Sequence, residues 1–313
     1  MQTRNEITQE ITKFLKSEGF ETSNIYEKGS FDIVARKKLL ILILKAFVNI
    51  DSVNKANIEE MKQLSNIFLA SPIIIGEKSR SGKLEDGVIY ERYEIPTINF
   101  NTFKNMILNK DHPNVMANRG GYFVKIDSNV LKQYREEYSL SLKDLADIAH
   151  VSRATMYKYE NDLVKVNIET AMLLEEVLNT KITLDIDLLK PVESSNSVNY
   201  GNSDENTEIL SKLGYGVLPT TKSPFDAAAK IENSESAPLL ANVDKNRTAK
   251  TLNKMAVNLK DLALITSSNP VFIVNNEKFN NSIGEIPVVK SWELKEFEHS
   301  SELLKLIKER KDN

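Results

Sequence analysis

Apolar positions along the chain change period several times, and each change marks an element. Ile7, Ile11, Phe14 and Leu15 recur at three- and four-residue spacing, which predicts a helix over about residues 5–18. Extended runs then predict strands over about 22–26, 31–36 and 39–47. The third, LLILILKAF, is apolar without alternation, as expected of a strand covered on both faces. A second helix over about 56–69 leads into the buried strand PIIIG, and GVIYERYEIPTINF supplies one or two short edge strands. Helices and strands interleave as they do around a mixed sheet.

The same order returns near the end of the chain. ITKFLKSEGFETSNIYEKGSFDIVAR is answered by ILSKLGYGVLPTTKSPFDAAAK, and each has a helix closing at Gly plus an aromatic, a strand, and Phe-Asp opening another strand. EMKQLSNIFLASPIIIGEK and YEIPTINFNTF are answered by KMAVNLKDLALITSSNPVFIVNNEK and GEIPVVKSWELKEF. The offset between copies stays at about 191–195 residues, so one α/β domain is present twice. The expected copies are residues 1–111 and 205–313. Two polar stretches, NKDHPNVMANRGGYF and KPVESSNSVNYGNSDENTE, read as linkers around a helical module at 125–189.

Within that module, Asp127 or Ser128 can cap a first helix, and Ser141 can cap a second with Asp144 three residues on, close to a capping box. Leu145, Ala146 and Ala149 give the second helix an apolar face. His150-Val151 forms a turn, and Ser152 caps a third helix, RATMYKYEN. There Met156 and Tyr159 face a core while Arg153, Ala154, Tyr157 and Lys158 face away. A fourth helix, IETAMLLEEVLN, closes the bundle.

Leu145-Ala146, Val151-Ser152, Thr155, Met156, Tyr159 and Glu160-Asn161 resemble, position by position, the helix-turn-helix of the Cro/C1 repressor type. The resemblance implies that the third helix enters the DNA major groove. Arg153, Ala154 and Lys158 would face bases, with Tyr157 and Thr155 beside them, Ser152 near a phosphate and Lys143 on the same side. Three residues depart from the pattern. Leu142 replaces a Gln that touches the DNA backbone, and His150 and Asp162 replace glycines, which asks both for positive φ. Amphipathic helix pairs are also common as plain packing modules. Nine matched positions at the right spacing favour DNA reading. The order of the whole chain resembles the archaeal family of HTH-type transcriptional regulators, in which restriction-endonuclease-like α/β domains flank the Cro/C1 module.

Composition narrows the chemistry. The 313 residues contain no cysteine, which excludes disulfides and cysteine-ligated metals. The three histidines, His112, His150 and His299, are too far apart in sequence to form a local metal pair. No apolar run is long enough to span a bilayer, and the N-terminus has no signal-peptide core; a cytoplasmic protein is expected. A net charge of −3 argues against nucleic-acid binding through bulk positive charge. The helical module is itself acidic, so any DNA contact must come from a locally basic face.

The flanking order helix, three strands, helix, strand resembles the restriction-endonuclease-like fold. Such a nuclease needs two carboxylates for Mg²⁺ and a lysine near the attacking water. Asp32 and Lys45 fit two roles, but Ile43 stands where the second carboxylate belongs; Glu10 or Glu27 would have to substitute. The second copy keeps Asp226 and lacks both other groups. The expectation is therefore no catalytic activity, with Asp32 and Lys45 as a nuclease remnant, and no cofactor or resident metal. SRSGKLEDG lacks the upstream glycine of a phosphate loop and reads as a polar loop. Trp292 reads as a packing anchor.

The function expected from the sequence is a sequence-specific regulator of transcription that binds double-stranded DNA as a homodimer, with its effector unspecified. The alternatives are an Mg²⁺-dependent nuclease targeted by the helix-turn-helix and a protein-docking scaffold.

Overall fold

A computed structural model describes residues 3–191, 200–201, 204–232, 234–243, 247–277 and 279–311. Most of the second expected linker lies outside them. In chain order the elements begin with α1 (Arg4–Ser17), β1 (Glu21–Thr22), β2 (Ile33–Lys37), β3 (Leu40–Asn49), α2 (Lys55–Phe68) and β4 (Ser71–Ser79). Then come β5 (Gly82–Lys83), β6 (Val88–Arg92), β7 (Ile95–Ile98), α3 (Phe100–Asn109), β8 (Val115–Asn118) and β9 (Gly121–Val124). The helical region holds α4 (Ser128–Glu137), α5 (Leu142–Ile148), α6 (Arg153–Glu160), β10 (Val166–Asn167) and α7 (Ile168–Leu178). The last part is α8 (Glu205–Lys212), β11 (Tyr215–Pro219), β12 (Ala227–Ile231), β13 (Leu239–Val243), α9 (Ala249–Thr266) and β14 (Asn269–Val274), then β15 (Ser282–Ile283), β16 (Ile286–Lys290), α10 (Ser291–Glu296) and α11 (Ser300–Lys311).

Two compact units divide the chain: Met1–Val48 with Ser52–Ile73 and Leu189–Asn313, and Asn49–Asp51 with Ile74–Leu188. This division cuts across the three segments read from the sequence, because the start of the first α/β copy packs with the second copy while its later strands continue toward the helices.

In the first unit α1 starts at a capping box in which Thr3 Oγ1 accepts from Glu6 N and Thr3 N donates to Glu6. Ile7, Ile11 and Leu15 bury its inner face. β1, β2 and β3 are antiparallel, with Thr22 opposite Ala35 and Val34 opposite Ile43. The second copy has the strand order β11-β12-β13-β14-β16-β15. Its first three strands are antiparallel, β13, β14 and β16 run parallel, and β15 returns antiparallel. The first copy repeats the ending, with β4 parallel to β7 and β6 antiparallel to it. The duplication thus extends to strand direction.

The two copies exchange equivalent contacts inside the first unit. Helix α2 packs against β12, and α9 packs against β2. Glu60 on α2 accepts from Thr221 N at 3.0 Å and Ser223 Oγ at 2.6 Å in the loop before β12. Asp261 on α9 accepts from Asn24 N at 2.7 Å and from the Tyr26 hydroxyl at 2.9 Å in the loop before β2. Burial, reinforced by Asp261, holds the Tyr26 hydroxyl far above the ordinary phenol range. Such reciprocal pairing is what an isologous interface between two subunits would show, here within one chain.

The second unit carries the strand order β4-β7-β6-β8-β9-β10. The stretch read as a first linker is instead a hairpin, β8 to β9, with Val115 opposite Val124 and Asn118 opposite Gly121. Gly120 and Gly121 take φ of 93° and 137°, values that side-chain-bearing residues rarely adopt, so the glycines mark a turn inside the sheet. The strand expected over 22–26 stops at Thr22, because Val34 N turns to the Ser23 hydroxyl. β7 lies between β4 and β6 and is not an edge. Trp292, expected as a packing anchor, is 41% exposed.

Candidate nucleic-acid interface and the Asp32 cluster

Helix α5 is started by Ser141, whose Oγ accepts from Asp144 N at 3.1 Å while Ser141 N donates to Asp144 Oδ2 at 2.9 Å. The shorter Asp completes the box in place of the usual Glu or Gln. It stops where His150 takes φ 55° and Val151 N reaches back to Ala146 O at 2.9 Å, the left-handed helix end that normally favours glycine. Ser152 Oγ then accepts from Thr155 N at 3.0 Å and starts α6. That helix ends the same way, with Asp162 at φ 53° and Leu163 N on Lys158 O at 2.9 Å. Two non-glycine residues therefore supply both positive-φ positions that the helix-turn-helix needs.

Leu145, Ala146, Ala149, Met156 and Tyr159 are buried in one core with Leu131 of α4, Val166 of β10 and Ala171, Leu174 and Leu178 of α7. Leu142, the departure from Gln, packs against this core. The opposite face of α6 is open: Ser152, Arg153, Ala154, Tyr157 and Lys158 are exposed, Thr155 is half-buried, and Lys143 of α5 is exposed. The one acid on α6, Glu160, is turned inward, with its side chain 6% exposed and held by both Nε and Nη2 of Arg135, which also donates to Leu140 O at 3.0 Å. That forked pair ties α4 to α6. It leaves Arg153 and Lys158 as the charges that α6 presents outward.

Asp32 lies in the first unit with its side chain 1% exposed. Its Oδ1 takes an ion pair from Arg4 and lies 3.5 Å from Lys45 Nζ, and its Oδ2 accepts from Ala46 N at 2.8 Å. Lys45 is equally buried and donates to Gly29 O at 2.6 Å. Burial lowers its pKa, Asp32 opposes that shift, and Arg4 adds to it. Ile43 is buried at the missing carboxylate position, and Glu10 and Glu27 lie exposed. Among the described residues no group of three His, Cys, Asp or Glu side chains is placed to hold a metal. An Asp whose oxygens already serve two cations and an amide does not fit Mg²⁺, which needs several free oxygens at octahedral positions.

The second copy has the same arrangement with different partners. Asp226 N bonds Ala241 O as Asp32 N bonds Leu44 O, so Asn242 stands where Lys45 stands. Val243 N donates to Asp226 Oδ2 at 3.0 Å, and Arg247 reaches both carboxylate oxygens at 2.7 and 2.8 Å. Asn242 Oδ1 accepts from Asp226 N at 3.1 Å.

Residues 4–113 match the PD-(D/E)XK superfamily domain, and residues 131–184 match the helix-turn-helix family of the Cro/C1 type. An HTH-type transcriptional regulatory protein of Methanobrevibacter smithii is 68% identical, with all of both chains covered. Its counterpart in Methanothermobacter thermautotrophicus is 48% identical over 98% of this chain and 97% of its own, and that of Methanocaldococcus jannaschii 33% over 97% and 96%. The chain belongs to this archaeal family of HTH-type transcriptional regulatory proteins. No solved structure matches it.

For a member of this family the sequence marked Asp32 and Lys45 and missed what neutralises them. Arg4 meets Asp32 across 28 residues and Arg247 meets Asp226 across 21. No local spacing signals such pairs; Arg4 comes from α1 and Arg247 from the segment before α9, and only tertiary packing brings them to the strand-borne carboxylates. Arg135 was missed in the same way, although Glu160 in the YEN stretch hinted that α6 needed a cationic partner. Among the described residues no helix is long and apolar enough to cross a membrane.

Proposed function

We propose that this protein is a sequence-specific DNA-binding regulator of transcription that reads the major groove with α6. The observation that carries the reading is the inward, paired Glu160 beside outward Arg153 and Lys158, neither of which has an ion-pair partner among the described residues; this gives an acidic chain a locally positive helix. Arg153 is suited to a bidentate bond with guanine, Lys158 to guanine or a phosphate, and Tyr157 to an apolar base edge. Ser152, Thr155 and Lys143 sit where phosphate contacts fix the register. One helix of this length reads few base pairs. The protein therefore acts as a homodimer on double-stranded DNA in the cytoplasm, on half-sites about one helical turn apart.

No catalytic role is assigned to Asp32 and Lys45, whose ion pairs are those of a structural cluster. The nuclease reading makes a separate demand, Mg²⁺-dependent cleavage abolished by Asp32→Ala. The binding reading is tested by fluorescence anisotropy of the full chain on its selected duplex between about 50 and 200 mM salt. Phosphate neutralisation predicts a fall in affinity of tenfold or more over that range. Salt-independent affinity, or none, would leave α6 a packing or docking surface.

A further inference from the structure

The second unit contains a cleft of about 860 Å³, bounded by the β4–β5 turn, β6, the β8–β9 turn and the segment after α6. Its rim carries Arg80, Lys83, Arg92, Arg119 and Lys165 against Asp51, Glu85 and Glu91. Two of these acids are engaged: Asp51 pairs with Arg92 at 2.6 Å and accepts from Arg80 N at 2.7 Å, and Glu85 accepts from the Tyr122 hydroxyl. That hydrogen bond, more than burial, holds the Tyr122 hydroxyl up at about 12. Arg80 shares the Asp51 carboxylate with Arg92, whereas the side chains of Lys83 and Arg119 have no carboxylate partner among the described residues, and all three line the same concavity. Its floor is less polar, with Ile89, Met116, Ala117 and the Tyr90 and Tyr122 rings.

We infer that this cleft binds a small, multiply charged phosphate compound of the nucleotide class. Five cations against three acids around one space leave a net positive potential, which a polyanion bound between them would neutralise. The volume falls in the range of small-molecule sites and exceeds what a lone phosphate fills. An aromatic and aliphatic floor beneath a cationic rim suits a base or nucleoside joined to phosphates. The loop SRSGKLEDG, which lacks a phosphate-loop pattern, supplies Arg80 and Lys83 through its fold instead.

The cleft also touches the reading head. Lys165 lies at its edge, in the segment between α6 and β10, and β10 pairs with β9 through Val166 and Val124. A ligand that draws Lys165 inward acts on the end of α6. An effect on DNA affinity rests on the DNA-reading proposal above; binding itself does not.

The test is competition against a fluorescent ATP analogue, followed by anisotropy on the full chain without DNA. The expected result is saturable binding, displaced by ATP and by inorganic tripolyphosphate but not by adenosine, and weakened tenfold or more in Arg80→Ala/Arg119→Ala with an unchanged melting temperature. Arg119→Lys should restore part of the affinity. No saturable binding, equal displacement by adenosine, or undiminished binding by the double variant would overturn the site. So would a double variant that binds the analogue normally and loses affinity for duplex DNA of every sequence, since the rim would then be a DNA-backbone contact. DNA affinity that responds to tripolyphosphate in the parent and not in the double variant would extend the proposal to regulation.

Discussion

The Asp32 cluster and the outer face of α6 both place basic side chains where nucleic-acid chemistry would want them, and they treat charge in opposite ways. At Asp32 the cations are spent on a carboxylate: Arg4 and Lys45 converge on one Asp, and Lys45 is 3% exposed. On α6 the only carboxylate is spent on Arg135, and Arg153 and Lys158 are left facing outward. A buried pair contributes to the fold and offers nothing to a ligand, whereas an exposed cation contributes little to the fold and is free to meet a phosphate or a guanine. Fold alone therefore does not assign a role to either region; the charges at each site have to be read separately.

Breaking the buried side should give the largest effect. Asp32→Ala strands Lys45 as an uncompensated charge in the interior, and denaturant unfolding should show a loss of about 3–5 kcal/mol. Asp226→Ala should cost less, about 1–3 kcal/mol, because Arg247 is 23% exposed and can rehydrate. Equal losses at the two sites would mean that burial of the partner cation does not set the cost.

On the exposed side, Arg153→Ala and Lys158→Ala should each weaken specific DNA binding by about 1–3 kcal/mol and leave unfolding unchanged. Ser141→Ala, which removes the cap and capping box of α5, should lower stability by about 1 kcal/mol without changing which sequence is bound. If it changed sequence preference as strongly as Arg153→Ala, the assignment of base contacts to α6 would need revision.

The smallest effect is a pH dependence. Burial depresses the Lys45 pKa below its ordinary 10.5, so the unfolded chain holds this proton more tightly than the folded one. Stability from this group must then rise with pH in the window just below 10.5, as the folded state loses its proton first. Melting at pH 8 and pH 10 should show the parent gaining relative to Lys45→Met. A parallel response of the two proteins would remove desolvation as the cause.

How much of this was legible depended on range. Helix periods and the α5–turn–α6 constellation rest on residues within a few positions of each other, and the duplication rests on two such local patterns recurring at a nearly constant offset. His150 and Asp162 were legible as positive-φ residues because the motif fixes where its two glycines belong. The β8–β9 hairpin was hidden because Asn118, Arg119, Gly120 and Gly121 look like linker composition; only pairing with β6 and β10 makes them a sheet turn. The partners of Asp32 and Asp226, and the exchange of Glu60 and Asp261 between the copies, are contacts across 21 to 237 residues. They follow from register and packing, which residue types alone do not specify.

The most direct test of the central claim is selection of bound duplexes from a random DNA pool, run with the parent and with the Arg153→Ala/Lys158→Ala variant. Major-groove reading by α6 gives a two-fold-related motif enriched by the parent and lost by the variant, with both proteins melting alike. Enrichment of the same motif by both, or by neither, would contradict it.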